Sequence, residues 1–189
     1  MRRLFVLTAA VLAAVGVMVP APSAGAAAPY CGIRWGSLEK ASSPMSSAAL
    51  TDIRAGRHTC YDRLVFDLTR PQVSFPGQAV GYSVRYVPVV TADATGDPIR
   101  LAGGAFLQVA VHADAHNVAT GAPTYRPRDP SHAVNVTGFR TFRQVAFGGT
   151  FEGITTVGLG VRARLPFRVF RLAGPGTGSR LVIDVAHRW

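Results

Sequence analysis

Lysine and glutamate are almost missing from this sequence. Lys40 is the single lysine, and Glu39 and Glu152 are the only glutamates. That scarcity limits the chemistry open to the chain. A zinc amidase needs His and Glu ligands plus a general base, and no H-E-x-x-H occurs. No G-x-S-x-G nucleophile elbow occurs either. Glycoside cleavage needs two acids in one cleft, and nothing in the spacing favours pairing Glu152 with Asp114 or Asp129. A Ser–His–Asp triad could be drawn from any scattered set, so its formal availability carries no weight. Of the five histidines only His112 and His116 cluster, with Asp114 between them. On a strand they would stand about 13 Å apart at ~3.3 Å per residue, too far for one metal. In a folded loop they would suit zinc. The reading assigns no catalytic residue, no metal and no cofactor.

Long hydrophobic runs are scarce as well. The one example, Leu4–Val19, follows Arg2 and Arg3 and precedes Pro20, Pro22 and the small residues Ala24-Gly25-Ala26. This is the order of a secretory signal. The run is about 16 residues, short of the ~20 that span a bilayer. Residues 1–26 are therefore read as a signal peptide cut after Ala26, and no membrane-spanning segment is expected in the mature chain. Cys31 follows Ala28-Pro29-Tyr30, which is no lipobox, so the expectation is free secretion and an extracellular or wall-associated location.

Cysteine is limited to Cys31 and Cys60. An even pair in an exported chain points to one disulfide. Closing a loop of this length stabilises by roughly 3–4 kcal/mol in the chain-entropy model. Residues 27–59 are read as an extension tied down by that bond, and 60–189 as one β domain. The Ser/Ala-rich stretch 41–49 reads as a loop, with room for a short helical turn from Ala48 to Ile53.

Arginine is abundant. Removing Arg2 and Arg3 leaves 18 basic against 10 acidic residues, a net charge of +8. Such a chain is steered towards polyanions, and guanidinium grips carboxylate and phosphate in two-point contacts. Outside a cell the polyanions are wall phosphodiester polymers, peptidoglycan carboxylates and lipid headgroups. Export removes nucleic acid as a target. The same excess also serves solubility, and composition alone does not separate the two.

After Cys60 the period is two. Leu64, Phe66 and Leu68 alternate with Arg63, Val65 and Asp67, which predicts a strand. Tyr82–Tyr86, Ala105–Val111, Val134–Phe147, Ile154–Arg164, Phe167–Leu172 and Leu181–Val185 read as further strands, Val134–Phe147 as one or two, broken near Gly138. Thr91–Pro98 and Ala173–Ser179 read as turns, and 113–133 as a long loop. No segment has helical periodicity. The expected class is mostly β, a sandwich of paired antiparallel sheets.

Arg63-Leu64-Val65-Phe66-Asp67-Leu68 is echoed by Arg180-Leu181-Val182-Ile183-Asp184-Val185. If the two strands pair antiparallel in register, Arg63 faces Asp184 and Asp67 faces Arg180, and two ion pairs would pin the register. R-x-V-x-D is also ordinary strand patterning.

These residues carry a family resemblance. Trp35-Gly36-Ser37, the run from Asp52 to Leu68, Phe151-Glu152-Gly153, Gly158-Leu159-Gly160, Leu165–Phe170 and Arg180–His187 together resemble the AMIN-like domain of actinobacterial secreted proteins and lipoproteins. The combined motifs cover nearly the whole mature chain. The resemblance implies a β-sandwich-like fold in the cell envelope and no catalytic residue. The family is more distantly similar to the AMIN domain, with paired three-stranded sheets, found in cell-wall amidases and secretins, where it binds or localises to peptidoglycan. No amidase domain is expected to follow here.

The resulting expectation is a secreted, non-catalytic domain that binds peptidoglycan or an anionic wall polymer. The rival readings are an envelope protein–protein adaptor and a small secreted hydrolase. Tyr125, Arg126 and Arg128, in the long loop, are the expected ligand-contacting patch, though a solvated proline loop explains them as well. Trp35, Tyr61, Tyr82 and Tyr86 are further aromatics able to stack on sugar rings. Glu152 is expected to serve a turn, and His58 to support the disulfide corner.

Overall fold

The computed structural model describes residues 31–71 and 79–189; the signal segment 1–26 lies outside the described residues. The strands are β1 (Lys40–Ser42), β2 (Leu50–Arg57), β3 (Tyr61–Leu68), β4 (Tyr82–Val87), β5 (Val90–Thr91), β6 (Pro98–Ile99), β7 (Ala105–Val111), β8 (Phe142–Phe151), β9 (Ile154–Val161), β10 (Phe167–Ala173) and β11 (Ser179–Ala186). They form a five-stranded sheet in the order β1-β4-β7-β9-β8 and a four-stranded sheet in the order β10-β11-β3-β2. All the pairings are antiparallel. The two sheets pack as the expected sandwich, with five and four strands rather than three in each.

Alternation explains the core. Leu64, Phe66 and Leu68 of β3 and Leu181, Ile183 and Val185 of β11 turn inward and are buried. They meet Val84, Leu107, Val109, Val157 and Leu159 from the five-stranded sheet in one apolar cluster. Phe66 and Phe167 are fully buried within it.

Residues 48–53 hold no helical turn. Leu50 begins β2, and the register with β3 shifts between Leu50 and Asp52. A bulge of this kind adds one residue on one strand. Leu50 and Ile53 therefore both face the core at a spacing of three, which imitates a helical pattern. The strand expected over Val134–Phe147 starts only at Phe142. Before it, the Asn135 carboxamide oxygen accepts from the Thr137 amide and Phe139 N–H donates to the Val136 carbonyl, so the chain turns twice. Asn135 and Gly138, the latter at φ 78°, decide against a strand there.

The β8–β9 hairpin closes on Glu152-Gly153, both at positive φ (46° and 80°). That is the primed turn favoured by strand twist, and it accounts for Glu152 structurally. The β5–β6 hairpin and the segment after it fold over the outer face of the five-stranded sheet. A Cβ on Gly160 would meet the Ala102 carbonyl oxygen, and one on Gly158 the Leu101 side chain, both at under 3.0 Å. The Gly158-Leu159-Gly160 motif is thus a seat for a second backbone layer.

Cys31 and Cys60 are joined by a disulfide, with Cα atoms 5.4 Å apart. Around it Ile33, Cys60 and Ala186 are buried, and Trp35 and Tyr61 pack against them. Phe167 N–H then donates to the Gly36 carbonyl at 2.9 Å, fastening the N-terminal segment to the start of β10.

Candidate functional site

The register of the four-stranded sheet places Arg168, Asp184 and Arg63 in one row across β10, β11 and β3. All three leave the outer face, yet the Asp184 carboxylate is fully buried. Arg63 grips it at two points, Nε to Oδ1 at 2.7 Å and Nη2 to Oδ2 at 3.0 Å. Arg168 Nε adds a third bond to Oδ2 at 2.8 Å. The bond to Asp184 is the main cause holding the Arg63 guanidinium above its ordinary pKa. One carboxylate between two guanidiniums leaves one positive charge over.

Aromatic rings surround that surplus. The Arg168 guanidinium lies 4.3 Å from the Trp35 ring centre, 5.1 Å from Phe170 and 5.4 Å from Tyr61. Arg63 lies 5.3 Å from both Tyr61 and Phe170. Trp35 meets Tyr61 edge to face, and His58 stacks on the same tyrosine at 4.6 Å. Each cation–π contact of this kind contributes about 0.5–1 kcal/mol or more when partly desolvated. Asp184 and the rings therefore set the guanidinium planes while the Arg168 side chain stays 40% exposed. Its terminal amines donate to no other described residue. The result is a guanidinium row held among aromatic rings, with Arg168 exposed enough to contact an acidic group.

In the expected patch Tyr125 is partly withdrawn from solvent, while Arg126 and Arg128 are exposed. Tyr125 is half-buried and packs edge to face on Phe147 at 5.4 Å. Its N–H donates to the Ala115 carbonyl, and the neighbouring Thr124 hydroxyl donates to Leu50 O, so this stretch is tied to the body. Only Arg126 and Arg128 point to solvent. The reason is tertiary: the apolar ring of Tyr125 finds Phe147, which no local pattern announces.

Burial, and then the negative charge of Asp52, push the Tyr125 hydroxyl up to about 12. An unfolded tyrosine ionises near pH 10. Below that pH both states are protonated and the contribution is intact. Between pH 10 and about 12 only the unfolded chain releases the proton, so stability falls across that window. Denaturant unfolding at stepped alkaline pH should show this loss, and Tyr125→Phe should flatten it.

Arg180 faces Asp67 in the register, as does Arg63 with Asp184. Only the second pair forms. Arg180 donates instead to the carbonyls of Gly174 and Ala173 in the adjoining turn, both at 2.9 Å. Asp67 is taken by Arg54 from β2, Nε to Oδ2 at 2.6 Å and Nη2 to Oδ1 at 3.0 Å. A turn with free carbonyls and a nearer guanidinium on the neighbouring strand outcompete the expected pair. Arg168 lies in the Leu165–Phe170 motif but outside the repeated R-x-V-x-D segment, so its place in the row follows only from the pairing of β10 with β11.

His112 Nδ1 lies 3.1 Å from the Pro44 carbonyl, and His116 Nε2 lies 3.9 Å from Asp114. Among the described residues no group of three or more His, Cys, Asp or Glu side chains is placed to hold a metal ion. Nor, among them, is any helix long and apolar enough to cross a membrane.

The family model of the AMIN-like domain matches residues 48–187. No curated protein and no solved structure matches the chain. The match takes in β2 through β11, so it spans both sheets and the Arg63–Asp184–Arg168 row. The chain belongs to the AMIN-like domain family.

Proposed function

We propose that this is an exported, non-catalytic domain that associates with the cell wall, through peptidoglycan or an attached anionic polymer. The contact surface is the outer face of the four-stranded sheet. The observation that carries this reading is the Arg63–Asp184–Arg168 row framed by Trp35, Tyr61 and Phe170. The net charge of +8 on the mature chain supplies long-range attraction to acidic polymers. The guanidinium edges of Arg168 supply short-range contacts to carboxylate or phosphate. The family membership and the disulfide agree with an envelope location.

Co-sedimentation with purified sacculi, with and without their anionic polymers, tests this. Exposed charge attraction is screened over about 8 Å at physiological salt, so pelleting should weaken as salt rises. Arg168→Gln, at a 40% exposed side chain, should lower apparent affinity by roughly tenfold, the ~1.4 kcal/mol scale of one charge-assisted contact. Absence of pelleting at every salt concentration would overturn the wall-binding reading.

An envelope adaptor is the second reading. A cleft of about 400 Å³ is lined by Pro88, Val89, Pro98, Ile99, Arg100, Leu101 and Phe106. Val89 is exposed there, as an apolar contact with a protein partner would require. Such a partner would be captured by the protein with Arg168→Gln as well as by the unaltered chain.

A further inference from the structure

A small pocket of about 250 Å³ opens at the disulfide end of the sandwich, lined by Cys31, Thr59, Cys60, Arg140, His187 and Arg188. It is smaller than the ~300–1,000 Å³ of sites that enclose a drug-sized ligand. It suits a single small group.

Its charge is one-sided. Arg140 and Arg188 are exposed, and among the described residues neither guanidinium donates to any other group. Arg162 Nη2 donates to the His187 carbonyl and adds a third cation at this end. The carboxylate beneath is already engaged. Asp62 is fully buried, with Oδ2 accepting from the amides of Thr141 at 2.6 Å and Phe142 at 3.2 Å. Its Oδ1 lies 3.1 Å from His187 Nε2. The imidazole is thereby fixed against the pocket, and its Nδ1 is buried with no hydrogen-bond partner among the described residues. Two free guanidiniums in one concavity repel each other, and an oxyanion between them reverses that sign.

We propose that this pocket is an oxyanion subsite, held by Arg140 and Arg188 with the Thr59 hydroxyl, for a phosphate or carboxylate borne on an acidic polymer. The polymer as source rests on the wall-binding reading; the oxyanion site does not. Cys60 directly precedes β3 and His187 directly follows β11, so the pocket stands at the end of the strands that carry Arg63 and Asp184. Arg63 stands three positions along the chain from Cys60, about 10 Å of extended backbone at ~3.3 Å per residue. Cationic clusters at the end and on the face of the same strands fit acidic groups that recur along a chain.

The test uses the exported, oxidised protein and the Nε–H resonances of its arginines. Inorganic phosphate and, separately, acetate are titrated at constant ionic strength. The expected result is a saturable shift at Arg140 and Arg188 with at least one anion, with Arg126 and Arg128 unmoved. The double variant Arg140→Gln/Arg188→Gln should weaken that anion at least tenfold and leave the Arg168 resonance in place. No saturable shift with either anion, equal shifts at Arg126 and Arg128, or undiminished binding by the double variant would each overturn the subsite. Sacculus pelleting by the same double variant decides the source. Weaker pelleting supports the polymer. Unchanged pelleting, with phosphate or acetate still bound by the unaltered protein, overturns the polymer and leaves a site for the free ion. Failure of the unaltered protein to pellet would sink the wall-binding reading and the polymer source, while the anion titration would still decide the pocket.

Discussion

Gly160→Ala is expected to destabilise the fold by about 3 kcal/mol, at the upper end of the overpacking range. Gly160 sits in β9, an interior strand of the five-stranded sheet, paired with Phe106 of β7 on one side and Gln144 of β8 on the other. Its backbone is in an ordinary extended conformation, so the cost is not conformational. The added methyl would meet the Ala102 carbonyl oxygen at under 3.0 Å. Backbone cannot rotate away as a side chain can, so the 99–102 segment must lift from the sheet. Lifting it also disturbs the Ala102 amide, which donates to the buried Gln144 carboxamide at 2.8 Å. Gly56→Ala is the matched control. It is also an extended strand glycine, but its Cβ would meet only His58 Nε2, at 3.8 Å. That exchange should be neutral or slightly stabilising, since alanine has less freedom to lose on folding. Urea unfolding of both variants would settle the matter. Equal stabilities for the two would remove the close backbone layer from the account of this fold.

Asp62→Ala should cost about 3–5 kcal/mol, the range for breaking a buried charged network by removing one partner. The carboxylate joins three parts of the chain: β3, where it resides, the start of β8 through the Thr141 and Phe142 amides, and His187 beyond β11. Its removal orphans two buried amides and one imidazole nitrogen. Each orphaned buried group costs about 1–3 kcal/mol. Asp67→Ala is the contrasting case five residues along the same strand. Its partner Arg54 has a side chain 49% exposed, and exposed pairs contribute about 0–1 kcal/mol. By strand alternation Asp62 falls on the inward face with Leu64 and Phe66 and Asp67 on the outer one, and the difference in unfolding free energy should exceed about 2 kcal/mol by this reasoning. A gap below 1 kcal/mol would mean that Asp62 is not the knot described above.

Local chemistry by itself determined the class of this protein. Alternating apolar residues have one outcome wherever one face must be buried, so Leu64-Phe66-Leu68 and Leu181-Ile183-Val185 declared two inward strand faces before any partner was known. The register of β3 against β11 was also legible, since the R-x-V-x-D echo aligns Arg63 with Asp184 and Asp67 with Arg180. The cysteine pair was legible because only one pairing exists. Sequence likewise determined the charge, and with it the class of partner to consider.

Tertiary structure decided which of those charges do something. Arg180 and Arg63 occupy equivalent places in the echo, but Arg180 is claimed by turn carbonyls and Arg63 by a buried carboxylate. Tyr125 read as an exposed stacker and packs half-buried against Phe147, whereas Trp35 joins the guanidinium row. Trp35 reaches Arg168 because the disulfide and the Gly36–Phe167 bond carry a segment over 130 residues distant in sequence onto the edge of β10. The β-bulge at Leu50 was missed because it depends on where the neighbouring strand lies, and a period-two reading assumes that every residue takes its turn on alternate faces. The break near Gly138 was legible, but Val134 and Val136 before it read as strand although Asn135 and Gly138 turn the chain there. Hydrophobic periodicity is a one-dimensional signal. The guanidinium row, the rings around it and the pocket at the disulfide end come from side chains that converge across strands, which only the packed sheets bring together.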